Sequence, residues 1–410
     1  MSKAPKKRGH GDGSVEQRSP GVWRLRYRVH KKMQSETVHC PGKKEALDKL
    51  REAISKAKSG EVAEPNKVTL GELIDIWLDA GAPGQRTRKE CTERTRDRYR
   101  QLFNQHIKPT LGDRPVQKLQ STEIDKLYAA LKSKVSDMTG KPLASMTLRH
   151  IHVVLGAVLN YGVRKGILIA NPQKRIDIVP TGESRLGIAL TEDELARLLG
   201  AFKGRAMFPI VALTAAIGAR RNEVLALRWS DFDAEKRELK IERAWEPSKK
   251  HGMILKRPKT TRGLRTISLH PDTVAMLVKH RQMYQRIVAG VDDGATIDLS
   301  LIRLPQDALI FPANPVAGRD LDFNRWTDPR NLTRKFGARA AKLFPGFTFH
   351  MLRHTHTTNL LDRGVPVHQV AARVGDSPEV LLRVYARLTR KKNNLMEEAM
   401  NALATNVLSP

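Results

Sequence analysis

Residues 21–30 alternate between apolar and basic side chains, the pattern of a β-strand with one buried and one exposed face. Arg24, Arg26 and Arg28 fall on one face of this predicted strand. A two-stranded ribbon that carries arginines can enter the major groove of DNA, although the same pattern also fits a solvated strand face. The first 32 residues hold ten Lys or Arg, so a basic arm is predicted before the strand. The neighbouring predicted elements are a partner strand over 34–40 and a helix over 43–59.

Helical periodicity follows over residues 68–166, after a proline-containing stretch at 61–67 that is predicted to be a linker. The arginines between 94 and 100 form either a solvated helix face or a set of phosphate contacts. The sequence therefore predicts a separate, all-helical domain. The residues predicted to begin its helices are Thr69, Ser121 or Thr122, and Ser145 or Thr147.

A third region begins near Arg185 and mixes helical and strand patterns. Thr191 and Glu194 fit a capping box at the start of its first helix. Later in the region, residues 290–305 are irregular and are predicted to be a surface loop. Two further predictions are a hairpin that pairs 239–244 with 264–269, and an amphipathic C-terminal helix over 394–404 that packs on its own chain or on a neighbouring protomer.

The net charge of the chain indicates what kind of molecule it binds. The 410 residues include 73 Lys or Arg and 43 Asp or Glu, a formal net charge of +30. Such an excess implies a polyanion, and nucleic acid fits better than an anionic membrane surface. The longest nearly apolar run, residues 207–219, is shorter than the roughly 20 residues that span a bilayer. With only two cysteines and no signal-like N-terminus, a reducing cytoplasm is expected.

Polar clusters in the third region suggest chemistry on a phosphodiester. Arg220 lies at the start of a predicted helix that continues through Trp229. It precedes Glu223 by three residues, which gives either an oriented anion-binding guanidinium or an ordinary surface salt bridge. His350 and Arg353 share one face at the start of a predicted helix, as groups that could move a proton beside a stabilised oxyanion. Tyr385 is either a core residue or a nucleophile on a helix.

Lys259 lies just before the second strand of the predicted hairpin. From a hairpin loop it could reach DNA and protonate a leaving oxygen, although it could equally be one of many solvated lysines. Two arginines can neutralise phosphoryl charge without a metal ion, so neither a metal nor another cofactor is expected.

Taken together, these motifs resemble the tyrosine recombinase family, and specifically phage and mobile-element integrases. The resemblance rests on GARRNEVLALRW at 218–229, KRPKTTRGLRTISL at 256–269 and HMLRH at 350–354, with Tyr385 in a helical setting. It implies that Tyr385 is the nucleophile, that Arg220, Lys259, His350 and Arg353 are catalytic, and that Glu223 supports Arg220. It also implies double-stranded DNA attachment sites and a homotetramer on paired sites, with accessory bending or directionality proteins as further candidates.

Asp376 departs from the family, which usually has His or Trp at this position. An ionised carboxylate repels a phosphate, so we expect Asp376 to be offset by a basic side chain or rotated out of the pocket. Arg373 and Arg383 are the nearest basic candidates along the chain.

The resemblance implies a mainly α fold with small β elements. It comprises a β-rich arm-binding domain, a helical core-binding domain and a mixed α+β catalytic domain. Two other functions stay open: a type IB topoisomerase, and a DNA-binding protein with a weakened active site. The expected divisions are a basic arm with its domain at 1–60, a linker at 61–67, the helical domain at 68–175, the catalytic domain at 185–390 and a tail at 391–410.

Overall fold

The computed structural model divides the chain into two compact units, residues 1–184 and 185–410. No helix in the described part of the chain is both long and apolar enough to cross a membrane. The residues that the structure describes are 13–29, 32–58, 66–84, 89–135, 140, 142–182, 187–248, 252–258, 261–292, 295–305, 307–315 and 320–385.

The N-terminal part of the first unit is a three-stranded antiparallel sheet with one helix packed against it. Trp23, Leu25 and Tyr27 are buried against the helix, so the predicted alternation of the central strand is confirmed. The predicted basic arm was wrong in part, because residues 14–19 pair with the central strand. The elements are β1 (Ser14–Ser19), β2 (Val22–Val29), β3 (Lys32–His39) and α1 (Lys43–Lys58).

The rest of the first unit is helical and encloses its own apolar core. Thr69 caps the first of its helices, as predicted, and also forms a capping box with Glu72 that the sequence analysis did not predict. The fourth begins at Ser121 with Gln120 as its capping residue, so both expected caps, Ser121 and Thr122, were wrong. The helices are α2 (Leu70–Asp79), α3 (Glu93–His106), α4 (Lys108–Leu111), α5 (Ser121–Ser133) and α6 (Ser145–Arg164).

The second unit is built on a larger core of helices and a small sheet. Its first helix has the predicted capping box between Thr191 and Glu194. The helices are α7 (Glu192–Gly200), α8 (Phe208–Ile217), α9 (Arg221–Val224), α10 (Pro271–Ala289), α11 (Pro329–Ala340), α12 (Met351–Asp362), α13 (Val367–Val374) and α14 (Pro378–Tyr385). The C-terminal helix predicted over 394–404 lies outside the described residues.

Five strands complete the second unit: β4 (Phe232–Asp233), β5 (Glu238–Ile241), β6 (Ala244–Ser248), β7 (Gly252–Lys256) and β8 (Arg265–Ser268). β5 pairs with β8, as the sequence predicted, with Leu239 opposite Ile267. The segment between them was expected to be a loop, but it contains a separate antiparallel hairpin formed by β6 and β7. The helix expected to run from Arg221 to Trp229 was also wrong in extent, because α9 ends at Val224.

Candidate active site

Arg220 is placed by a sharp reversal of the chain between α8 and α9. α8 ends at Gly218, which adopts a left-handed conformation (φ 62°), and Arg220 then caps α9. A Cβ on Gly218 would lie 2.5 Å from the His356 ring, so the turn has room only for glycine. Glu223 receives a hydrogen bond from the Arg220 backbone N–H (3.0 Å) and another from its Nη1 (2.9 Å). The predicted support of Arg220 by Glu223 is therefore present in the structure.

Arg353 is held in place by backbone carbonyl groups, one of which belongs to the same turn. It lies in the first turn of α12, and only 2% of its surface is exposed. Its Nη1 donates to the carbonyl oxygens of Gly218 (2.8 Å) and Val374 (2.7 Å). A buried guanidinium held by two carbonyls has few accessible rotamers, so its remaining N–H groups point in one fixed direction.

Asp376 occupies the point on which both guanidiniums converge. One carboxylate oxygen accepts from Arg220 Nη2, and the other accepts from Arg353 Nη2 at 2.5 Å. The expectation that a basic side chain offsets Asp376 is confirmed, but the expected partners were wrong. Arg373 instead donates to His356 and to the carbonyl oxygen of Ala216, and Arg383 is exposed on α14.

The guanidiniums of Arg220 and Arg353 together form a pocket that suits an anion with two oxygens. A carboxylate presents its oxygens as a fork, much as a phosphodiester presents its two non-bridging oxygens. Arg220 keeps 40% of its side chain exposed, whereas Arg353 keeps 3%. The pocket is therefore open on the Arg220 side and closed beneath Arg353.

His350 stands at the edge of this pocket, immediately before α12. It remains exposed, but the protein atoms around its ring lower its pKa by desolvation, and the charges of Arg353 and Arg220 lower the pKa further. The His354 ring packs edge-on against it, with the centroids 4.8 Å apart. A neutral imidazole near neutral pH can accept a proton, which is the capacity that a general base needs.

Two predicted site residues cannot be assigned a side-chain position. Lys259 lies outside the described residues, between β7 and β8. Tyr385 is the last residue of α14, so its helical setting is described, while its side chain lies outside the described part. The structure thus brings together Arg220, Glu223 and Arg353 with His350 beside them.

Sequence reasoning missed Arg265, a buried arginine that binds Glu223. Its Nη2 donates to Glu223 Oε2 at 2.9 Å, and 6% of its side chain is exposed. Burial alone would raise the pKa of Glu223, but the charge and hydrogen bonds of Arg265, together with Arg220, outweigh burial and lower it. The alternation of β8 carried a signal, because it places Arg265 on the same face as the buried Ile267.

In the N-terminal module, the predicted arginine face is present on β2. Arg26 and Arg28 are exposed, and Arg24 is half-buried and donates to Ser35 (3.3 Å). Arg26 also lies 3.5 Å from Glu16 on β1.

Comparison with known proteins identifies the family of this chain. Residues 189–392 match the model of the phage integrase family, and residues 69–132 match the N-terminal SAM-like domain of phage integrases. The chain belongs to the tyrosine recombinase family. The region that matches the phage integrase family contains Arg220, His350, Arg353 and Tyr385.

Curated relatives of this integrase-family chain span most of its length. A XerC-like tyrosine recombinase of Caldanaerobacter subterraneus is 26% identical and covers 88% of this chain and 90% of its own. An integrase of Streptomyces ambofaciens is 25% identical over 82% of this chain and 80% of its own. A putative prophage phiRv2 integrase of Mycobacterium tuberculosis is 24% identical over 99% of both.

Among solved structures, the Tn1549 transposon integrase in complex with a circular intermediate DNA has the same fold. The TM-score is 0.61 at 16% identity, over 82% of this chain and 99% of that one. The mainly α fold with small sheets is therefore that of tyrosine recombinase integrases.

Proposed function

We propose that this integrase-family protein is a site-specific DNA recombinase that integrates or excises a mobile element. The single observation that carries the proposal is the convergence of Arg220 and Arg353 on the two oxygens of one carboxylate. We assign the Asp376 position to the scissile phosphate, whose non-bridging oxygens exchange with the carboxylate when DNA binds. Two preorganised guanidiniums then stabilise the negative charge that develops on the non-bridging oxygens.

Tyr385 is the assigned nucleophile. The second unit contains two tyrosines, Tyr284 and Tyr385. Tyr284 is buried in the core against His280 and Phe323, which keeps its hydroxyl from DNA, and burial also raises its pKa to about 12. Tyr385 follows Asp376 by nine residues on the next helix, α14.

The reaction balances without an added cofactor. The Tyr385 phenol oxygen attacks the scissile phosphorus and the bond to the 5′-oxygen breaks, which gives a 3′-phosphotyrosyl ester and a free 5′-hydroxyl. His350 accepts the phenol proton, and Lys259 protonates the departing 5′-oxygen. The 5′-hydroxyl of another duplex then attacks the phosphotyrosine and releases Tyr385. One phosphate ester replaces another at each step, so the bond energy is retained.

Strand exchange between two duplexes requires a cut in each of four strands. Each protomer supplies one Tyr385, so we propose that the working assembly is a homotetramer on paired attachment sites. Because the proposed substrate is DNA, we propose that the protein acts in the bacterial cytoplasm, at the nucleoid. DNA-bending or directionality proteins are candidate partners.

The test is a recombination assay with two duplexes copied from the DNA that flanks the gene, compared with relaxation of a supercoiled plasmid that lacks those sequences. We expect joint products that require the flanking sequence. Relaxation of the plain plasmid without any joint product would favour a type IB topoisomerase. Binding without cleavage would favour a DNA-binding protein with a weakened site.

A further inference from the structure

Arg265 joins three separate segments of the second unit through one buried guanidinium. Its Nη2 donates to Glu223 on α9 (2.9 Å), and its Nε donates to the carbonyl oxygen of Arg373 near the end of α13 (2.8 Å). Its Nη1 donates to the carbonyl oxygen of Gly263 before β8 (3.1 Å). The side chain is 6% exposed, so these contacts, and not solvent, satisfy its donors.

The groups that Arg265 binds on α9 and α13 lie next to groups that bind the two pocket arginines, Arg220 and Arg353. The second oxygen of Glu223 binds Arg220 Nη1 at 2.9 Å. Just beyond Arg373, the carbonyl of Val374 accepts from Arg353 (2.7 Å) and the carbonyl of Gly375 accepts from Arg220 (3.1 Å). Arg265 therefore holds the groups that orient both pocket arginines.

Arg265 packs so closely against the turn after α13 that only glycine fits at position 375. A Cβ on Gly375 would lie 2.7 Å from Arg265 Nη1 and 3.0 Å from the carbonyl oxygen of Arg262. Gly375 also has φ +72°, a conformation that L side chains rarely adopt. The turn that carries Asp376 thus rests directly on the Arg265 guanidinium.

We propose that Arg265 is a positioning residue for the strand-cleavage reaction. It keeps Glu223 and the Gly375–Asp376 turn in register, so that Arg220 and Arg353 face the scissile phosphate together. The proposal rests on the proposed function, because it assigns the phosphate to the pocket of those two arginines. Arg265 itself does not need to contact DNA.

The charge balance around Glu223 supports this role. Glu223 is 3% exposed, and Arg265 is the leading cause that opposes the burial of its carboxylate. Without Arg265, the carboxylate keeps Arg220 as its remaining charged partner within the described residues. A buried carboxylate that loses one of two cations holds the other less firmly in the charged, hydrogen-bonded geometry.

The experiment compares two scissile linkages in one DNA duplex copied from the flanks of the gene. One has the natural phosphodiester, and the other has a methylphosphonate, which replaces a charged non-bridging oxygen with a methyl group. A neutral linkage needs less stabilisation from guanidiniums, so defects in the arginine pocket shrink on it. Covalent adduct formation is measured with both linkages for the wild type, Arg265→Met and Arg265→Lys.

We expect Arg265→Met to slow adduct formation on the phosphodiester by about tenfold or more, less than the roughly 10²-fold loss for removal of a pocket donor itself. On the methylphosphonate its defect should be several-fold smaller, as it should be for Arg220→Ala. Arg265→Lys retains the charge but not the three-way fork, so it should rescue in part. If Arg265→Met does not fold, Arg265→Lys carries the same comparison.

The matched control is Arg243→Met. Arg243 also pairs with a buried carboxylate, Asp231, at 2.8 Å, and it makes no described contact with the pocket. Thermal unfolding of each variant measures its loss of stability. Equal defects of the Arg265 variants on both linkages, as for Arg243→Met, would reduce Arg265 to a structural role and overturn the proposal. A wild type that forms no adduct on the phosphodiester would instead overturn the proposed function.

Discussion

Asp376 lies at the position where the resemblance to tyrosine recombinases led us to expect His or Trp. Its carboxylate binds Arg220 and Arg353, so it competes with the scissile phosphate for the same donors. Two unit charges 4 Å apart interact by about 4 kcal/mol at an effective dielectric of 20, and an ionised Asp376 beside the phosphate would feel a repulsion of that order. The carboxylate must therefore move or be screened when DNA enters.

Asp376→Asn keeps the size of the side chain and removes its charge. We expect it to form the covalent adduct at least as fast as the wild type at subsaturating DNA, and Asp376→His to do likewise because imidazole can donate to a phosphate oxygen. Single-turnover adduct formation measures this. If Asn, Ala and His at position 376 all abolish cleavage while DNA binding survives, the carboxylate has a positive role in aligning the arginines.

The two pocket arginines should be needed unequally for folding but equally for cleavage. Arg220→Ala and Arg353→Ala should each slow cleavage by about 10²-fold or more, as expected for loss of one preorganised donor. Arg353→Ala should also lower thermal stability, because it leaves the buried Gly218 and Val374 carbonyls without their donor. Near-wild-type cleavage by both variants would contradict the assignment.

The sequence located several of these residues but not their partners. Arg220, Glu223, His350 and Arg353 could be identified from short motifs, because each motif is local. The pairing of Asp376 with Arg220 joins positions 156 residues apart, and nearness along the chain pointed to Arg373 and Arg383 instead. Local pattern specifies a residue's element and face, whereas its contacts depend on how distant elements pack.

Among the elements, α12 carries an enclosed histidine that should make the second unit acid-sensitive. His356 Nε2 accepts from Arg373 Nε (3.2 Å), so its proton is on Nδ1, which donates to the carbonyl of Ala215 (3.0 Å). Burial, followed by the charge of Arg373, lowers the pKa of His356 to about 3. The imidazole is therefore neutral in the folded protein.

The sign of the pH effect follows from that lowered pKa. As pH falls below about 6.5, the unfolded chain binds a proton at His356 before the folded chain does, so stability declines from there toward pH 3. His356→Gln, followed by thermal unfolding between pH 7 and 4, should show a shallower decline. His270→Gln at the exposed start of α10 is the control. An unchanged slope in His356→Gln would show that His356 is not a source of the acid sensitivity.

Element prediction succeeded where periodicity was strong and failed where it was interrupted. The alternation of β2, the cap at Thr69 and the capping box of Thr191 were predicted correctly. The β6–β7 hairpin was missed, because Pro247 lies in β6 and proline is unfavourable inside a strand. α9 was predicted too long, because the chain leaves the helix after Val224 and Arg228 pairs as an isolated β-bridge with Leu309.

For the whole molecule, the net charge of +30 is divided among parts with different tasks. We predict that changing Arg24, Arg26 and Arg28 together to Gln leaves core-site cleavage intact and weakens assembly on the full attachment DNA. The slope of log affinity against log salt should become shallower by about 0.9 for each phosphate that the variant no longer neutralises. Footprinting and salt titration measure both effects.

The matched control changes Lys43, Lys44 and Arg51 to Gln, which removes the same charge from the exposed face of α1 in the same module. Equal losses in the two triple variants would mean that the β2 face is not a specific DNA contact.

The fold class was predictable from the sequence, because each region has its own periodicity and the motifs concentrate in the third. Strand β1 was not predictable, because the charged residues Glu16 and Arg18 interrupt any apolar alternation. It forms because its backbone pairs with β2.

The central claim is that Tyr385 becomes joined to DNA through a 3′-phosphotyrosyl ester. The most direct measurement is adduct trapping on a nicked duplex copied from the flanks of the gene, with mass spectrometry of the DNA-linked peptide. We predict that the wild type gives an adduct on Tyr385, and that Tyr385→Phe binds the same DNA with nearly unchanged affinity and gives none. An adduct that persists in Tyr385→Phe, or maps to another residue, would contradict the account.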